Sequence, residues 1–459
     1  MGCYSTAADI VADAGLDGGH CKVTHLARHA CASALQRSRI RPHSSVSSLD
    51  GRHDIFPGMS ERVRITDAPI IVKTKQYIGS RQDVLSLAQG VVHWAPPEGA
   101  LGLAAELIRD KGVSAYGPCA GLPALAGALR QKLASENGLP GHNVMVTSGA
   151  NQGFTNLVLT LLDPSDAAIL FVPYYFNHLM ALQMTGGGHS VVYGRCHQQT
   201  WKPDLDWLEQ ALAVPTPPKM VVLVNPCNPT GVLLSREELE RAAELTARAG
   251  CWLIMDNTYE HFVYEGLQHH CVSAPHIIHL FSFSKAFGMM GWRVGYLAYQ
   301  DRGGLGEHLA KVQDTIPICP PQLSQYVALG ALQAGRPWVA SQLESIMGNR
   351  EAIIDALSPL YPSGDGAAAS EGAIYLWAKL PEGCEDDEAV VEWLVRKHGV
   401  CVIPGSACGA AGYIRAAYAN LQPDACLDAS RRLKRGLQQL ATEGLCALQD
   451  APLTGALKM

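Results

Sequence analysis

Lys285 stands in the run FSFSKAFGMMGWR (281–293), among small, aromatic and sulfur-bearing side chains, with Ser282 and Ser284 before it and Arg293 after it. A surface lysine ordinarily shares a polar helical face with other charges. An ammonium in apolar surroundings is costly unless it is paired, deprotonated or used covalently, and the last option makes Lys285 a candidate Schiff-base nucleophile. The competing reading is a loop lysine whose stem packs on the core while its head stays in water. Asp256, directly after the apolar run CWLIM (251–255), is a carboxylate at the end of a buried strand, and Ser282, Ser284 and Arg293 offer two hydroxyls and a guanidinium to an anion.

The apolar pattern supplies a frame that could bring these groups together. From Asn143 the chain passes through VMVT (144–147), AAILFV (167–172), SVVY (190–193), MVVLV (220–224), CWLIM (251–255), IIHLFSF (277–283) and WRVGYLAY (292–299). Segments of helical character lie between most of them, such as DLDWLEQAL (204–212) and SREELERAAELTARAG (235–250), the latter with acids early and arginines late. Continuous apolar strands alternating with helices predict an α/β fold, a mostly parallel central sheet with helices on both faces. Such sheets bind ligands beyond the carboxyl ends of their strands. There the sequence places Ser148-Gly149-Ala150-Asn151, Pro173-Tyr174-Tyr175, the loop from Asn225 to Gly231, Asp256-Asn257-Thr258-Tyr259 and Ser284-Lys285. An imine-forming lysine, a strand-end aspartate and small residues with hydroxyls for a phosphate are the parts that pyridoxal phosphate needs.

Farther along, AIYLWAKL (373–380), DDEAVVEWLVRKHG (386–399), VCVI (400–403) and YIRAAYA (413–419) read as strand, helix, strand and strand, with a long helix near 423–441. They predict a smaller α+β domain. The expected division is 1–61 as a disordered or targeting extension, 62–98 as an N-terminal segment joining the small domain, 99–340 as the large cofactor-binding domain, 341–445 as the small domain and 446–459 as a flexible tail.

Composition narrows the partners. The chain has 459 residues, 47% of them hydrophobic, which is enough for a large core, and a formal charge of −6 gives no basic surplus for nucleic acid or anionic membranes. The fourteen cysteines lack CxxC spacing and the seventeen histidines form no HExxH, so no metal site is expected. No apolar stretch is long enough to span a bilayer. Between Asp17 and Asp50 no acid occurs, while Lys22, Arg28, Arg37, Arg39 and Arg41 are mixed with Ala, Ser and His, the bias of an organelle transit peptide. Asp9, Asp13 and Asp17 run against that bias, and MGCYST also fits a myristoylation pattern. A cytoplasmic protein is expected, with plastid or mitochondrial import the alternative.

The motifs NPCNPTG, DNTYEHF and SFSKAFGMMGWRVGY, in this order and spacing, resemble those of fold-type-I (class I/II) pyridoxal-phosphate-dependent aminotransferases over about residues 85 to 440. LAQGVVHWAPP, YGPCAGLPAL, VMVTSGANQGF, PYYFN and IYLWAKLPEG are most similar to the plant-type aromatic-amino-acid and methionine aminotransferases. The resemblance implies a ping-pong exchange of an amino group between an amino acid and a 2-oxo acid. In it Lys285 would hold pyridoxal 5′-phosphate as an internal aldimine and act as the base, Asp256 would pair with the pyridine nitrogen, and Tyr259 and Asn228 would bond the ring oxygen. Gly149, Ala150, Asn151, Ser282, Ser284 and Arg293 would hold the phosphate. Where relatives often carry a hydroxyl, Ala150 leaves only its backbone. Tyr175, or else Tyr174, would stack on the ring. Arg415 and Gly90 would take the substrate α-carboxylate, which Asn228 would also touch, and Trp94 would wall the side chain. Tyr116 would reach the neighbouring subunit's phosphate, in a homodimer with shared active sites.

Fold and cofactor do not fix the reaction. A C–S lyase or an aminocyclopropane-carboxylate-synthase-like elimination enzyme is the alternative, and it would release product without an oxo-acid acceptor. A ligand-sensing regulator would need a DNA-binding domain, for which the N-terminal segment is too irregular.

Overall fold

The fold is that of a computed structural model, which describes residues 58–186, 190–361 and 370–449. The expected extension lies outside these residues except for 58–61, and of the expected tail only Cys446–Gln449, a helical turn, lies within them. In chain order the strands are β1 (Leu85–Ser86), β2 (Asn143–Thr147), β3 (Ala168–Phe171), β4 (Val191–Gly194), β5 (Met220–Val224), β6 (Trp252–Asp256), β7 (Ile277–Ser282), β8 (Gly295–Tyr299), β9 (Tyr375–Lys379), β10 (Val400–Cys401), β11 (Ile403–Pro404) and β12 (Tyr413–Ala417).

Seven of them form one sheet in the order β2-β8-β7-β6-β5-β3-β4, and they coincide with the seven apolar runs. All are parallel except β8, which is antiparallel to both of its neighbours. Alternation sorts their side chains onto two faces. Leu170, Val222 and Ile254 pack under helices Ala150–Leu161, Phe176–Met184 and Leu305–Thr315. Ile169, Val221, Leu253 and Met255 pack under Leu205–Leu212 and Arg236–Arg248. The last helix is fixed locally by a capping box between Ser235 and Glu238, and it buries Leu239, Ala242, Leu245 and Thr246 on one stripe. The helix Gln322–Ser345 is two helical segments joined at a kink, where Gly335 takes a positive φ (+68°) that glycine adopts without strain, and the second segment crosses the expected boundary at 340.

The C-terminal part holds a three-stranded antiparallel sheet, β11-β12-β9, packed with helices Met347–Leu357, Asp387–Trp393 and Pro423–Glu443. VCVI, expected as a single strand, is split: β10 pairs in parallel with β1, and β11 pairs with β12. That pairing ties residues 85–86 to the C-terminal part across more than three hundred residues of sequence, a contact invisible to local periodicity. Among the described residues no helix is long and apolar enough to cross a membrane.

Candidate active site

The site follows from strand polarity. β5, β6 and β7 run parallel, so Asn228, Asp256 and Lys285, which end or follow them, reach one edge of the sheet. β8 runs the other way, so it is a residue two positions before its start, Arg293, that returns to that edge. β2 delivers the N-terminus of Ala150–Leu161 beside it. These groups line a cleft of about 330 Å³, to which β9 and β12 of the C-terminal part add Tyr375 and Arg415.

Lys285 is half-buried there, and its Nζ donates to the Gly90 carbonyl. Desolvation, followed by the nearby charges of Arg293 and Arg415, lowers its pKa to about 7. The amine is thus substantially neutral and nucleophilic near neutral pH, which disfavours the snorkelling reading. Trapping of Lys285 in the cofactor-free protein by a small aldehyde and borohydride, followed by peptide mass spectrometry, is expected to reach half its maximal rate near pH 7. A midpoint near the ordinary lysine value would refute the desolvated amine.

Asp256 is 3% exposed. Its Oδ1 accepts the Thr258 N–H at 2.9 Å, and its Oδ2 lies 3.1 Å from Nε2 of His178, itself buried with its ring 4.2 Å from that of Phe154. Two donors thus fix the carboxylate on the cleft wall. Tyr259 is buried, which pushes its phenol well above the usual tyrosine range, and its hydroxyl lies 2.5 Å from that of Tyr375. Asn228 accepts from Arg415 Nη1 through Oδ1 at 2.7 Å, leaving its amide N–H groups for the cleft. Arg415 Nη2 donates to the Ala88 carbonyl at 2.8 Å, Nε has no partner, and the side chain makes no ion pair among the described residues although it is 1% exposed.

Around the start of Ala150–Leu161 the backbone is shaped to admit a cation. Gly149 has φ +87°, and a Cβ there would fall 2.3 Å from Arg293 Nη2. Arg293 itself takes a left-handed conformation (φ +56°), which costs a non-glycine residue roughly 1–2 kcal/mol, and anchors Nη1 on the Met290 carbonyl at 2.7 Å. It too makes no ion pair among the described residues. Ala150, Asn151, Ser282, Ser284 and Arg293 line the cleft, and Gly149 sits behind them as the cap of the helix. Backbone N–H groups, hydroxyls and a guanidinium with no ion pair among the described residues are the donors that a phosphate dianion needs.

Of the paired tyrosines, Tyr175 lines this cleft, while Tyr174 turns away to stack on Tyr193 and pack against Gly409. Trp94 does not line the cleft, contrary to the expected substrate contact. Its indole N–H donates to the Ala286 carbonyl at 3.2 Å and its ring stacks on Phe262, so it braces the Lys285 loop from behind. Tyr116 lies outside the cleft and is 80% exposed. Ile71, His178 and Tyr375 line the cleft without having been singled out in the sequence. His178 alone left a trace, as a histidine three residues after Tyr175 on a helix whose other residues are largely apolar. Among the described residues no group of three His, Cys, Asp or Glu side chains could hold a metal ion.

With this geometry in hand, comparison with known proteins gives a consistent result. Residues 82–433 match the family model for aminotransferase class I and II. The chain is 47% identical to the aromatic aminotransferase ISS1 of Arabidopsis thaliana over 392 residues, covering 85% of this chain and 99% of that protein. It is 30% identical to an aspartate/prephenate aminotransferase of Thermus thermophilus, covering 79% and 94% of the two. Among solved structures, an aspartate aminotransferase mutant of Thermus thermophilus superposes with a TM-score of 0.74 at 28% identity over 83% of this chain and all of that one. The aromatic aminotransferase of Pyrococcus horikoshii does so with 0.70 at 27%, over 80% and 99%. A strand-edge lysine and aspartate, two guanidiniums without ion pairs among the described residues and a match that spans most of the chain agree: this protein belongs to the class I and II aminotransferases.

Proposed function

We propose that the protein binds pyridoxal 5′-phosphate on Lys285 and transfers amino groups between an aromatic amino acid or methionine and a 2-oxo acid. The observation that carries this reading is the charge pattern of the cleft. Two guanidiniums without carboxylate partners among the described residues, Arg293 and Arg415, face a lysine whose pKa is lowered to about 7 and an aspartate held ready by two donors. A phosphorylated pyridine aldehyde and an amino acid carry between them a phosphate for Arg293, an α-carboxylate for Arg415, a ring nitrogen for Asp256 and a carbonyl carbon for Lys285. When bound, the cofactor supplies that carbonyl and an electron-accepting ring.

The chain's own residues divide the remaining work. Asp256 holds a proton at the ring nitrogen, since a buried carboxylate favours an opposite charge beside it. Tyr259 and Asn228 donate to the ring oxygen, and Tyr175 covers the ring face. Gly149, Ala150 and Asn151, with Ser282, Ser284 and Arg293, cradle the phosphate. Arg415 and Gly90 orient the α-carboxylate, and Lys285 Nζ takes the proton from the substrate Cα.

Substrate preference rests on the rest of the lining. Ile71, Val91, Phe176 and Met290 are apolar, and among the described residues the only lysines or arginines lining the cleft are Lys285, Arg293 and Arg415, all engaged in the roles above. A side-chain carboxylate would have no cation of its own, which favours aromatic and methionine donors, in keeping with the name of the Arabidopsis relative. Residues 99–340 are assigned as the cofactor-binding domain, and 62–98 with 341–445 as the small domain. The exposed Tyr116 suits a two-fold dimer in which it reaches the partner's phosphate. The eleven described cysteines are all free thiols, which fits the cytoplasm or a reducing organelle.

A donor-by-acceptor activity matrix tests the proposal. Tryptophan, tyrosine, phenylalanine and methionine should each give a 2-oxo product only when an oxo-acid acceptor is present. Ammonia released without acceptor would instead establish the eliminating alternative, and aspartate as the best donor would overturn the substrate assignment.

A further inference from the structure

Tyr375 sits on β9 where three working groups of the cleft meet. It is 2% exposed and lines the cleft. Its hydroxyl is 2.5 Å from that of Tyr259, and the two rings meet nearly edge to face, with centroids 5.5 Å apart. The Arg415 guanidinium lies over its ring, 4.1 Å from the centroid. Gly90 is built against its hydroxyl, where a Cβ would come within 1.9 Å, and the Gly90 carbonyl receives Lys285 Nζ. One side chain therefore touches the phenol proposed for the ring oxygen, the clamp proposed for the α-carboxylate, and the glycine that holds the amine.

In the free protein either hydroxyl can donate, and an acceptor placed beside Tyr259 would fix the direction. Burial raises the pKa of both phenols, so each keeps its proton. Two protonated hydroxyls in contact share one hydrogen bond and leave one proton over. If Tyr259 donates, the spare proton belongs to Tyr375, whose hydroxyl has no other partner among the described residues. If Tyr375 donates, the spare proton belongs to Tyr259 and an acceptor in the cleft can take it. A buried donor seeks an acceptor, and donation to the Tyr259 oxygen polarises its O–H into a stronger donor.

We propose that Tyr375 is a positioning residue of the transamination site: its hydroxyl donates to Tyr259 and directs the Tyr259 proton to the cofactor ring oxygen, while its ring face seats the Arg415 guanidinium for the substrate carboxylate. The inference rests on the function proposed above. The two halves separate by substitution. Tyr375→Phe keeps the ring and removes the hydroxyl, and Tyr375→Leu removes both.

In holoenzyme, the pH midpoint of the visible absorbance of the cofactor on Lys285 should rise in Tyr375→Phe by about 0.3 to 1 unit, because a weaker donor at the ring oxygen leaves the cofactor more basic. The KM for amino donors should stay within about threefold of wild type, since the face under Arg415 remains. Tyr375→Leu should add a rise in KM of about three- to thirty-fold, shared by all donors. Tyr259→Phe should show a larger rise of the midpoint, and Tyr375→Phe should add nothing in that background, because its hydroxyl acts only through Tyr259. An unchanged midpoint in Tyr375→Phe, with only a lower melting temperature, would reduce Tyr375 to packing and overturn the proposal. So would additive midpoint shifts in the double variant. Tyr375→Phe carries these outcomes even if Tyr375→Leu does not fold. A wild-type protein lacking any visible cofactor band would instead count against the cofactor assignment itself.

Discussion

Lys285→Ala is expected to lower transamination by at least about four decades and to abolish the visible absorbance of the bound cofactor, because one substitution removes both the covalent anchor and the base. The same variant makes a second prediction that does not depend on turnover. In the folded protein the Lys285 pKa lies near 7, below the ordinary 10.5, because burial and the charges of Arg293 and Arg415 disfavour the ammonium. Between those two values the unfolded chain binds more protons than the folded one, so the stability of the cofactor-free wild type rises with pH across that window. Below about pH 7 the penalty for burying the ammonium is felt in full. Cofactor-free Lys285→Ala should therefore be more stable than cofactor-free wild type at pH 6, by up to a few kcal/mol on the scale of about 1.4 per pKa unit, and the gain should shrink toward pH 10. Thermal unfolding at several pH values measures the difference. A pH-independent difference would mean that the lysine head reaches water, and normal turnover in the variant would sink the mechanism.

Much of the frame was legible because it is written in local chemistry. Each of the seven apolar runs from 144 to 299 became a strand, since a strand buried on both faces has no polar side to break the run. The early acids and late arginines of 235–250 marked a helix, and the structure starts it with a capping box between Ser235 and Glu238, while Asp204 caps the helix of DLDWLEQAL by accepting from the N–H groups of Asp206 and Trp207. The segment 386–399 was read as one regular helix, but its α-helical part ends at Trp393 and a π-helical turn over Leu394–His398 carries it to Gly399, whose positive φ closes it.

What the sequence hid depends on contacts between distant residues. The split of VCVI is decided by two different partners, β1 and β12. Trp94 looked like a substrate wall because a lone tryptophan beside a site suggests a flat surface, but its N–H found a backbone carbonyl almost two hundred residues away, and burying that donor settled its place. His178 and Tyr375 gain their meaning from Asp256 and Tyr259, residues far away in sequence and close across the cleft. The residues that the motifs did mark all line one cleft: strand polarity sends Lys285, Asp256, Asn228 and Arg293 to one edge of the central sheet, and β12 of the C-terminal part brings Arg415 to it.

Arg415 carries the second large prediction, since an aminotransferase accepts different side chains in turn through one site while holding the same α-carboxylate each time. A fully buried guanidinium with an unpartnered Nε and no carboxylate among the described residues is costly in the free protein, and a bidentate carboxylate relieves that cost on binding. Asn228 Oδ1 at 2.7 Å, the Ala88 carbonyl at 2.8 Å and the Tyr375 ring fix the fork before the substrate arrives, so little ordering remains to oppose binding. Loss of such a pair costs about 3–5 kcal/mol, roughly two to four decades in kcat/KM. Arg415→Ala should lower kcat/KM by similar factors of that size for methionine and every aromatic donor, and Arg415→Lys should recover only part of it, because an ammonium keeps the charge without the fork. Cofactor absorbance should persist in both variants, which separates a failed clamp from a failed fold. If Arg415→Ala spared methionine while abolishing activity with tryptophan, Arg415 would be reading the side chain, and the α-carboxylate would have to be held by another group of the cleft.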